Sequence, residues 1–278
     1  MSSVPFQPSS SPPGLAAGWD IHRRTGTVAH LHGLDLLGVA TTATTATATN
    51  DTTTTTDAGS LRLPTMLHRG VWLLEPIAPA VALGSAQRFA GAGIDAHGID
   101  AHGIEVVVRR SGGGAVILEP GVSLWIDVVL PRHDPLWDDD VSRSAHWLGQ
   151  AWVQALASLG VGAAVHDGPI DRHALARAAC FAGLGPGEVV HEGRKLVGIS
   201  QRRTRDGARF QCVAYTATPN TDLLVDVLAD VVGDGLATAD LAEALANTTG
   251  VIPVESWVLA DAVCCAIMES VPARLTLP

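Results

Sequence analysis

Strand-like runs fill the middle of the chain, and they constrain its fold more than any other feature. Between residues 71 and 216, short runs of β-branched and other apolar residues alternate with turns rich in glycine and proline. This alternation is typical of β-strands. Strands are predicted at 71–76, 79–84, 104–110, within 111–121 after a glycine turn, and at 124–131, 161–167, 187–193, 195–203 and 208–216.

Helical periodicity is clearest in the second half of the chain. Apolar residues from Val141 to Leu156 recur at helical spacing, which predicts a long amphipathic helix over residues 139–158. Asp138 to Asp140 would lie at its start, where carboxylates complement the helix dipole. Other helices are predicted at 85–93 with Ser85 as N-cap, after a short strand within 19–40, and at 222–232, 238–248 and 254–270. The patterns together predict the α+β class, with a mixed, largely antiparallel sheet flanked by helices.

Two segments of biased composition set the domain boundaries. Residues 1–18 are rich in serine and proline without apolar periodicity, which predicts a disordered tail. Residues 41–60 are a threonine and alanine tract without alternating large apolar residues, which predicts a low-complexity surface insertion. The chain has 278 residues, 47% of them hydrophobic, so it can bury a sizeable core. Residues 19–278 are therefore predicted to form a single domain.

The charge balance narrows the classes of partner. Eighteen Lys and Arg residues stand against 28 Asp and Glu, and the net charge of −10 argues against binding to nucleic acid or an anionic membrane. A small molecule or a protein is the expected partner. No apolar run reaches the roughly 20 residues that a bilayer span requires. The N-terminus also lacks the pattern of a signal peptide, so the expected location is cytoplasmic.

Metal-binding patterns are weak. The chain has four cysteines, Cys180, Cys212, Cys264 and Cys265. They form neither a CxxC pair nor an evenly spaced framework, which indicates a reducing compartment and no structural metal. GIDAH occurs twice, at 93–97 and 98–102, but a slipped duplication in a glycine-rich loop explains its Asp-x-His pairs better than a metal site. No metal site is predicted.

Three consecutive glycines, Gly112 to Gly114, separate two predicted strands. Without Cβ atoms the backbone N–H groups of such a turn can approach a phosphate or carboxylate closely. Arg109 and Arg110 lie immediately upstream, so at least one guanidinium could reach the same anion. The glycines could equally serve only the geometry of a tight hairpin.

Lys195 is the single lysine among the 18 basic residues of the chain. It follows a turn and begins a predicted strand. In a chain that otherwise uses arginine, a lysine here indicates a need for a compact ammonium. A surface lysine retained by chance would look the same.

Two motifs carry a family resemblance. Arg109–Val116 (RRSGGGAV) resembles the R-x-S-G-G-G-A-V signature of lipoate-protein ligases, and Gly193–Gln201 (GRKLVGISQ) resembles their G-[RK]-K-x-x-G-S-A-Q segment. LGSAQ at Leu83–Gln87 and the predicted helix after Pro131 also look like family elements. All occur in the expected order. The resemblance implies an α+β catalytic domain of the kind that lipoate-protein ligases share with biotin-protein ligases.

The resemblance also implies a reaction. A lipoyl or octanoyl group would be attached to a lysine of a lipoyl carrier domain through an acyl-adenylate, with ATP and Mg²⁺. Arg109 and the turn would line the activated-acyl or adenylate site, and Lys195 would contact the acyl carbonyl or phosphate. Fixed donors there stabilise the charge that develops on the carbonyl oxygen and leaving group. The other implied binding residues are Ser111, Gly112, Gly113, Gly114, Ala115, Gly198, Ser200 and Gln201.

Cys180 supports a second route. Ala179-Cys180-Phe181 looks like the nucleophile region of the octanoyltransferases of lipoate synthesis, fifteen residues before Lys195. A thiolate there could take octanoyl from a carrier-protein thioester and pass it to the target lysine, without ATP or another cofactor. A small buried cysteine is the alternative. Cys212 and Cys264-Cys265 are predicted to be core residues.

Departures from the family pattern leave a third interpretation open. Leu118-Glu119 stands where many relatives carry His-Asp, and Gly198-Ile199-Ser200 replaces Gly-Ser-Ala. The accessory C-terminal domain of two-domain ligases is also expected to be missing. An acyl carrier protein or a separate accessory polypeptide is therefore a candidate partner, and a non-catalytic relative that holds lipoate or adenylate is the third interpretation. His173 is near enough in sequence to Cys180 to be a candidate base, but surface or loop positions are favoured for His166, His173 and His191.

Overall fold

The computed structural model describes residues 18–37, 67–87, 103–232 and 237–270. All of the predicted tail except its last residue, the threonine and alanine tract, and both GIDAH copies lie outside these ranges. Within them, every helix is too short or too polar to cross a membrane.

Ten strands lie within the described residues and form two sheets. They are β1 Trp19–Gly26, β2 Arg69–Pro76, β3 Ala80–Leu83, β4 Glu105–Val108, β5 Val116–Leu118, β6 Ser123–Pro131, β7 Ala164–Val165, β8 Val189–His191, β9 Arg194–Arg203 and β10 Gly207–Tyr215. The large sheet has the order β1-β2-β6-β10-β9-β8-β7, and the small sheet has the order β4-β3-β5. β1–β2 and β3–β4 are parallel pairs, and the other strand pairs are antiparallel. The predicted mixed, largely antiparallel character is confirmed.

Six helices flank the sheets within the described ranges. They are α1 Val28–Gly33, α2 His146–Ser158, α3 Ala174–Ala178, α4 Thr221–Val232, α5 Thr238–Thr248 and α6 Ser256–Glu269, with a 3₁₀ turn at Cys180–Ala182. α2 and α6 pack on one face of the large sheet, where Leu148, Trp152 and Ile267 are fully buried. The small sheet covers the other face, which carries Trp125 and Val213. β6 and β10 are thus buried on both faces, as their near-continuous apolar sequences indicate.

The helix predicted at 139–158 is shorter than expected, because α2 begins only at His146. Residues 141–145 form turns instead. Asp140 accepts hydrogen bonds from the backbone N–H and Oγ of Ser142, at 2.8 and 2.6 Å, and Arg143 pairs with Asp138. Such side-chain bonds compete with helical backbone bonds. The prediction that Asp138 to Asp140 lie at the helix start is therefore wrong, and the first turn of α2 has no acidic residue.

The remaining predictions of helices, strands and buried cysteines are largely confirmed. Every predicted strand has a counterpart, and the strand and helix expected within 19–40 are β1 and α1. Of the helix predicted at 85–93, only residues 85–87 are described, and they form a turn. Cys212 and Cys264 are buried, but Cys265 is exposed, so its prediction as a core residue is wrong. It lies on the solvent side of α6.

A buried ion pair fastens α1 to the large sheet. Arg209 of β10 pairs with Asp127 of β6 at 2.5 Å between Nη2 and Oδ2. The same guanidinium donates to the backbone carbonyls of Leu31, His32 and Leu34, at 3.2, 3.4 and 2.9 Å. These carbonyls lie at the end of α1, where helical partners are lacking. The pair therefore fixes His32 between the two sheets.

Candidate active site

An open cavity of about 580 Å³, hereafter the outer cavity, lies beside the glycine turn. The two motif segments of the sequence, at 109–116 and 193–201, both contribute to its wall. Its polar lining consists of Arg109, Asp140, Ser142, Asp171, Cys180, Glu188, Lys195, Ser200 and Gln201. Its apolar lining includes Val141, Ile170, Leu184 and Ile199. The cavity thus combines reactive side chains with apolar surface, as small-molecule sites commonly do.

The glycine turn holds the backbone of Cys180. The Ala115 N–H donates to the Ala178 carbonyl at 2.9 Å, and the Cys180 N–H donates to the Ala115 carbonyl at 2.8 Å. A Cβ on Gly114 would lie 2.6 Å from the carbonyl carbon of Ala179 and 2.8 Å from the backbone nitrogen of Cys180. Real Cβ atoms do not approach other atoms so closely, so glycine is required at this position. Ala115 is fully buried and acts in this contact.

Arg109 organises the same turn. Its Nη2 donates to the carbonyls of Gly112 and Gly114, at 2.7 and 2.9 Å, and its Nη1 donates to that of Ala82 at 3.4 Å. Burial lowers the pKa of Arg109. Its Nε is buried and has no hydrogen-bond partner among the described residues. The guanidinium therefore shapes the turn, whereas Arg110 is exposed.

Lys195 lies at the centre of a compact charged cluster. Its Nζ is 2.7 Å from Glu188 Oε2, donates to the Cys180 carbonyl at 2.5 Å, and lies 4.0 Å from Cys180 Sγ. The Lys195 and Glu188 side chains are only 2% and 6% exposed. Glu188 also accepts the backbone N–H groups of Gly185 and Ile199, at 2.6 and 3.2 Å. The ammonium is therefore fixed beside the sulfur by a carboxylate that is itself held in place.

The charge of Lys195 is stable in this setting. Burial by itself lowers the pKa of Lys195, but the electrostatic interactions with Cys180 and Glu188 and the hydrogen bond to Glu188 outweigh burial and raise the pKa above its ordinary value. A raised pKa keeps the group protonated at neutral pH, and the charge is lost only when the pH rises through that value. Lys195 is therefore a permanent ammonium under neutral conditions. It can stabilise negative charge on Sγ or on an acyl oxygen bound beside it.

Gly198 and Ser200 of β9 line the space around Cys180. A Cβ on Gly198 would lie 3.1 Å from Cys180 Sγ, so the glycine leaves room for the sulfur. Ser200 Oγ lies 3.0 Å from Ser111 Oγ, and Ser111 is 1% exposed. These contacts connect β9 to the residue that precedes the glycine turn. The two motifs recognised in the sequence therefore meet through their serines.

Gln201 fixes the loop that precedes α2. Its Nε2 donates to the Val141 carbonyl at 2.8 Å, and its Oε1 accepts the Ser144 hydroxyl at 2.9 Å. Asp140, Val141 and Ser142 of this loop line the outer cavity. Gln201 therefore lines the cavity itself and also holds in place the loop of residues 140–142, which forms another part of the wall.

A second cavity, hereafter the inner cavity, lies between the two sheets and has a volume of about 20 Å³. It shares Arg109, Cys180 and Ser200 with the outer cavity. Its other lining residues are His32, Val116, Leu118, Trp125, Gly198, Gln211 and Val213. Cys180 therefore lies where the outer cavity meets a small, mainly apolar space between the two sheets.

Three histidines considered in the sequence analysis, His166, His173 and His191, do not belong to the residues that line the two cavities. His173 is exposed and accepts the Ala176 N–H at the start of α3, at 3.2 Å, so it acts as a helix cap. His166 is partly exposed and His191 is exposed, and neither lines the two cavities. Across the part of the chain that the structure describes, no cluster of three or more His, Cys, Asp or Glu residues is arranged to hold a metal ion.

Sequence reasoning missed Glu188 and His32. Glu188 lies in the apolar run at 187–193 and follows no motif. The sequence held one indication of Glu188, because the single lysine, Lys195, requires a carboxylate nearby if it is buried. His32 belongs to a segment more than seventy residues before the glycine turn, and only the pairing of β1 with β2 brings it close. No local pattern indicates that contact.

Several solved structures share the fold. Lipoate-protein ligase A bound with ATP is 20% identical, with a TM-score of 0.51 over 72% of each chain. The bi-partite lipoate protein ligase of Thermoplasma acidophilum, analysed with its E2 lipoyl domain, is 18% identical, with a TM-score of 0.50 over 72% of this chain and 70% of that one. LipL1 of P. falciparum in complex with lipoate is 11% identical, with a TM-score of 0.54 over 91% of this chain and 62% of that one. At these identities the likeness establishes the fold alone.

The sequence itself matches one family model. No curated protein sequence matches the chain. The model described as the lipoyl protein ligase A/B catalytic domain matches residues 59–244, which includes both motifs and Cys180. The resemblance indicated by the motifs is thereby confirmed. Because the match spans more than half of the chain, the protein belongs to the lipoyl protein ligase A/B catalytic domain family and is an enzyme of the ligase or transferase type.

Proposed function

We propose that the enzyme transfers a lipoyl or octanoyl group to a lysine of a lipoyl carrier domain, with Cys180 as the nucleophile that carries the acyl group. The observation that supports this route is the distance of 4.0 Å between Cys180 Sγ and Lys195 Nζ in the wall of the outer cavity. A cysteine that only fills the core needs no cation beside its sulfur. This contact favours the thioester route over the acyl-adenylate route that the motifs favoured.

The proposed reaction has two steps. In the first, Cys180 Sγ attacks the carbonyl of an acyl thioester donor, such as an acyl carrier protein. A new C–S bond forms, the C–S bond of the donor breaks, and the proton of the Cys180 thiol passes to the departing donor sulfur. In the second, the ε-amine of the acceptor lysine attacks the acyl-Cys180 carbonyl. A C–N bond forms, the C–S bond to Cys180 breaks, and the proton of the amine passes to the departing Cys180 sulfur, which regenerates the thiol. Lys195 stabilises the charge on the carbonyl oxygen and on the departing sulfur.

The outer cavity suits the acceptor as well as the donor. Its opening admits a flexible lysine side chain, and its wall carries the carboxylates of Asp140 and Asp171. Carboxylates at a cavity wall favour the approach of a cationic side chain. The enzyme is therefore expected to bind two partners, an acyl donor and a lipoyl domain.

An ATP-dependent ligase is the second candidate, and the glycine turn supports it. Gly112 and Gly113 are exposed in the wall of the outer cavity, and Arg109 Nε lacks a partner among the described residues. Backbone N–H groups and a guanidinium suit a phosphate. Mg²⁺ needs only one or two carboxylates when substrate phosphates complete its shell, and Asp140 or Asp171 could supply them. When bound, Mg²⁺ would neutralise phosphate charge.

Two mixtures distinguish these candidates. The purified chain is incubated with an apo lipoyl domain and either octanoyl carrier protein without ATP, or ATP, Mg²⁺ and free lipoate. The mass of the lipoyl domain is then measured. We expect a gain of one octanoyl group in the first mixture. A gain in the second mixture alone would replace the thioester route by ligation, and no gain in either would overturn both proposals.

Replacing Gly114 with alanine should slow acyl transfer about 100-fold, because a misplacement of about 1 Å at a reacting group has an effect of this size. The new Cβ would collide with the backbone of Ala179 and Cys180. We also expect a loss of about 1–3 kcal/mol in the free energy of unfolding. Initial transfer rates and urea denaturation measure the two effects.

Gly112 provides the matched control. An added Cβ there meets no atom within 4 Å, and its backbone is not left-handed. Gly112→Ala should therefore retain the wild-type stability. If Gly114→Ala and Gly112→Ala behave alike, the contact between the turn and Cys180 does not position the sulfur.

A further inference from the structure

The inner cavity has a polar wall that the proposed chemistry does not use. His32 of α1 lines it, and only 8% of this residue is exposed. The imidazole lies against Trp125, with ring centroids 4.5 Å apart. The Arg209 contacts at the end of α1 hold the backbone of His32 in place. The imidazole is thus a fixed group at the cavity and not a mobile surface side chain.

The surrounding hydrogen bonds assign the ring proton of His32. Gln211 Oε1 accepts the Ser111 hydroxyl at 2.5 Å, so Gln211 Nε2 is the side of the amide that faces His32. Gln211 Nε2 donates to His32 Nδ1 at 3.2 Å and lies 3.4 Å from Asp127 Oδ2. Because Nδ1 accepts a hydrogen bond, the proton of the neutral ring is on Nε2.

This proton has no acceptor among the described residues. His32 Nε2 is buried and makes no hydrogen bond. The ring is neutral, because burial and the positive charges of Arg109 and Arg209 lower the pKa of His32 well below its ordinary value. Buried donors without acceptors are unfavourable, and such groups in native proteins commonly mark a bound ligand or water. His32 lines the same cavity as Cys180.

We propose that His32 selects the acyl group by donating a hydrogen bond from Nε2 to the distal end of the chain. The favoured substrates are then medium-length acyl groups whose far end carries a hydrogen-bond acceptor, as the dithiolane sulfurs of lipoyl do, and plain alkyl chains such as octanoyl are disfavoured. The inference rests on the proposed function, because it takes Cys180 as the point where the acyl group is held.

The shape of the inner cavity is consistent with this selection. Half of its lining residues are apolar or glycine and suit methylene groups. The others are Cys180 and the polar residues His32, Arg109, Ser200 and Gln211. Its volume of about 20 Å³ accommodates one small terminal group. A longer part of the chain enters only if Leu118 and the other apolar walls move apart. A bound water would also satisfy His32, so the test must separate a water site from a substrate site.

Calorimetric titration of the full chain with free lipoate, octanoate and 8-hydroxyoctanoate distinguishes a substrate site from a water site. Octanoate and 8-hydroxyoctanoate differ only in one terminal acceptor. We expect lipoate and 8-hydroxyoctanoate to bind about tenfold more tightly than octanoate, which is the effect of one buried hydrogen bond. Equal affinities of octanoate and 8-hydroxyoctanoate would overturn the proposal and leave His32 as a water site.

Two variants assign the effect to His32. His32→Phe keeps a ring beside Trp125 but removes the donor, so it should erase the preference without weakening octanoate binding. His32→Gln keeps an N–H donor and should retain part of the preference. An unchanged preference in His32→Phe would contradict the proposal. Since free acids bind without turnover, failure of acyl transfer would reject the proposed function while leaving this result standing.

Discussion

Replacing Cys180 with serine should reduce transfer from octanoyl carrier protein to the lipoyl domain by roughly 1000-fold or more, because a hydroxyl without an adjacent base is a poor nucleophile. The structure offers Cys180 an ammonium 4.0 Å from its sulfur, and an ammonium can stabilise a thiolate but cannot deprotonate a serine hydroxyl. The backbone contacts of Cys180 with Ala115 do not depend on its side chain. The fold should therefore be retained, and initial rates by mass spectrometry measure the effect.

Cys265 provides the control for this substitution. It is exposed on α6, away from both cavities, so Cys265→Ser makes the same chemical change outside the site. Its transfer rate should equal that of the wild type. A Cys180→Ser enzyme that transfers octanoyl at the wild-type rate would contradict the thioester route.

Replacing Lys195 with methionine should reduce acyl transfer by about 100- to 1000-fold, the usual effect of removing one group that stabilises developing charge. The same change leaves Glu188 buried without its partner. Removing one member of a buried ion pair costs about 3–5 kcal/mol of stability. Transfer rates and the free energy of unfolding should therefore fall together.

A double variant separates these two effects. In Lys195→Met with Glu188→Gln, both charges are removed, and the amide oxygen can still accept one of the two N–H groups, of Gly185 and Ile199, that the two carboxylate oxygens accept. We expect part of the stability to return, because no charge is then left buried without a partner. The transfer rate should stay low. If the double variant regains transfer as well as stability, Lys195 is only a structural partner of Glu188.

Local patterns predicted most of the secondary structure, because period-two and helical repeats reflect which side chains are buried. β6 and β10 are buried on both faces, and both lie at the centre of the large sheet. The start of α2 was misjudged for a local reason. Val141 and Ala145 fit the helical repeat, but the side chain of Asp140 satisfies the N–H of Ser142 before the helix begins. Apolar spacing alone does not register such competition.

The site was predictable where it follows motifs and unpredictable where it depends on packing. The glycine turn and Lys195 were identified from sequence, yet the main contact of the turn is with the backbone of Cys180. The contact of Lys195 with Glu188 depends on the pairing of β8 with β9, which includes a bulge. His32 reaches the inner cavity because β1 pairs with β2 and because Arg209 fixes the end of α1 across the sheet. Such contacts depend on strand order and register, which single-sequence patterns do not encode.

Trapping the acyl-enzyme tests the central claim most directly. The wild-type chain is mixed with octanoyl carrier protein in the absence of ATP and acceptor domain, quenched in acid, digested and analysed by mass spectrometry. We predict one octanoyl group on the peptide that contains Cys180, and its loss when apo lipoyl domain is added before the quench. An acceptor domain that gains octanoyl while the Cys180 peptide stays unmodified at every time point would contradict the account.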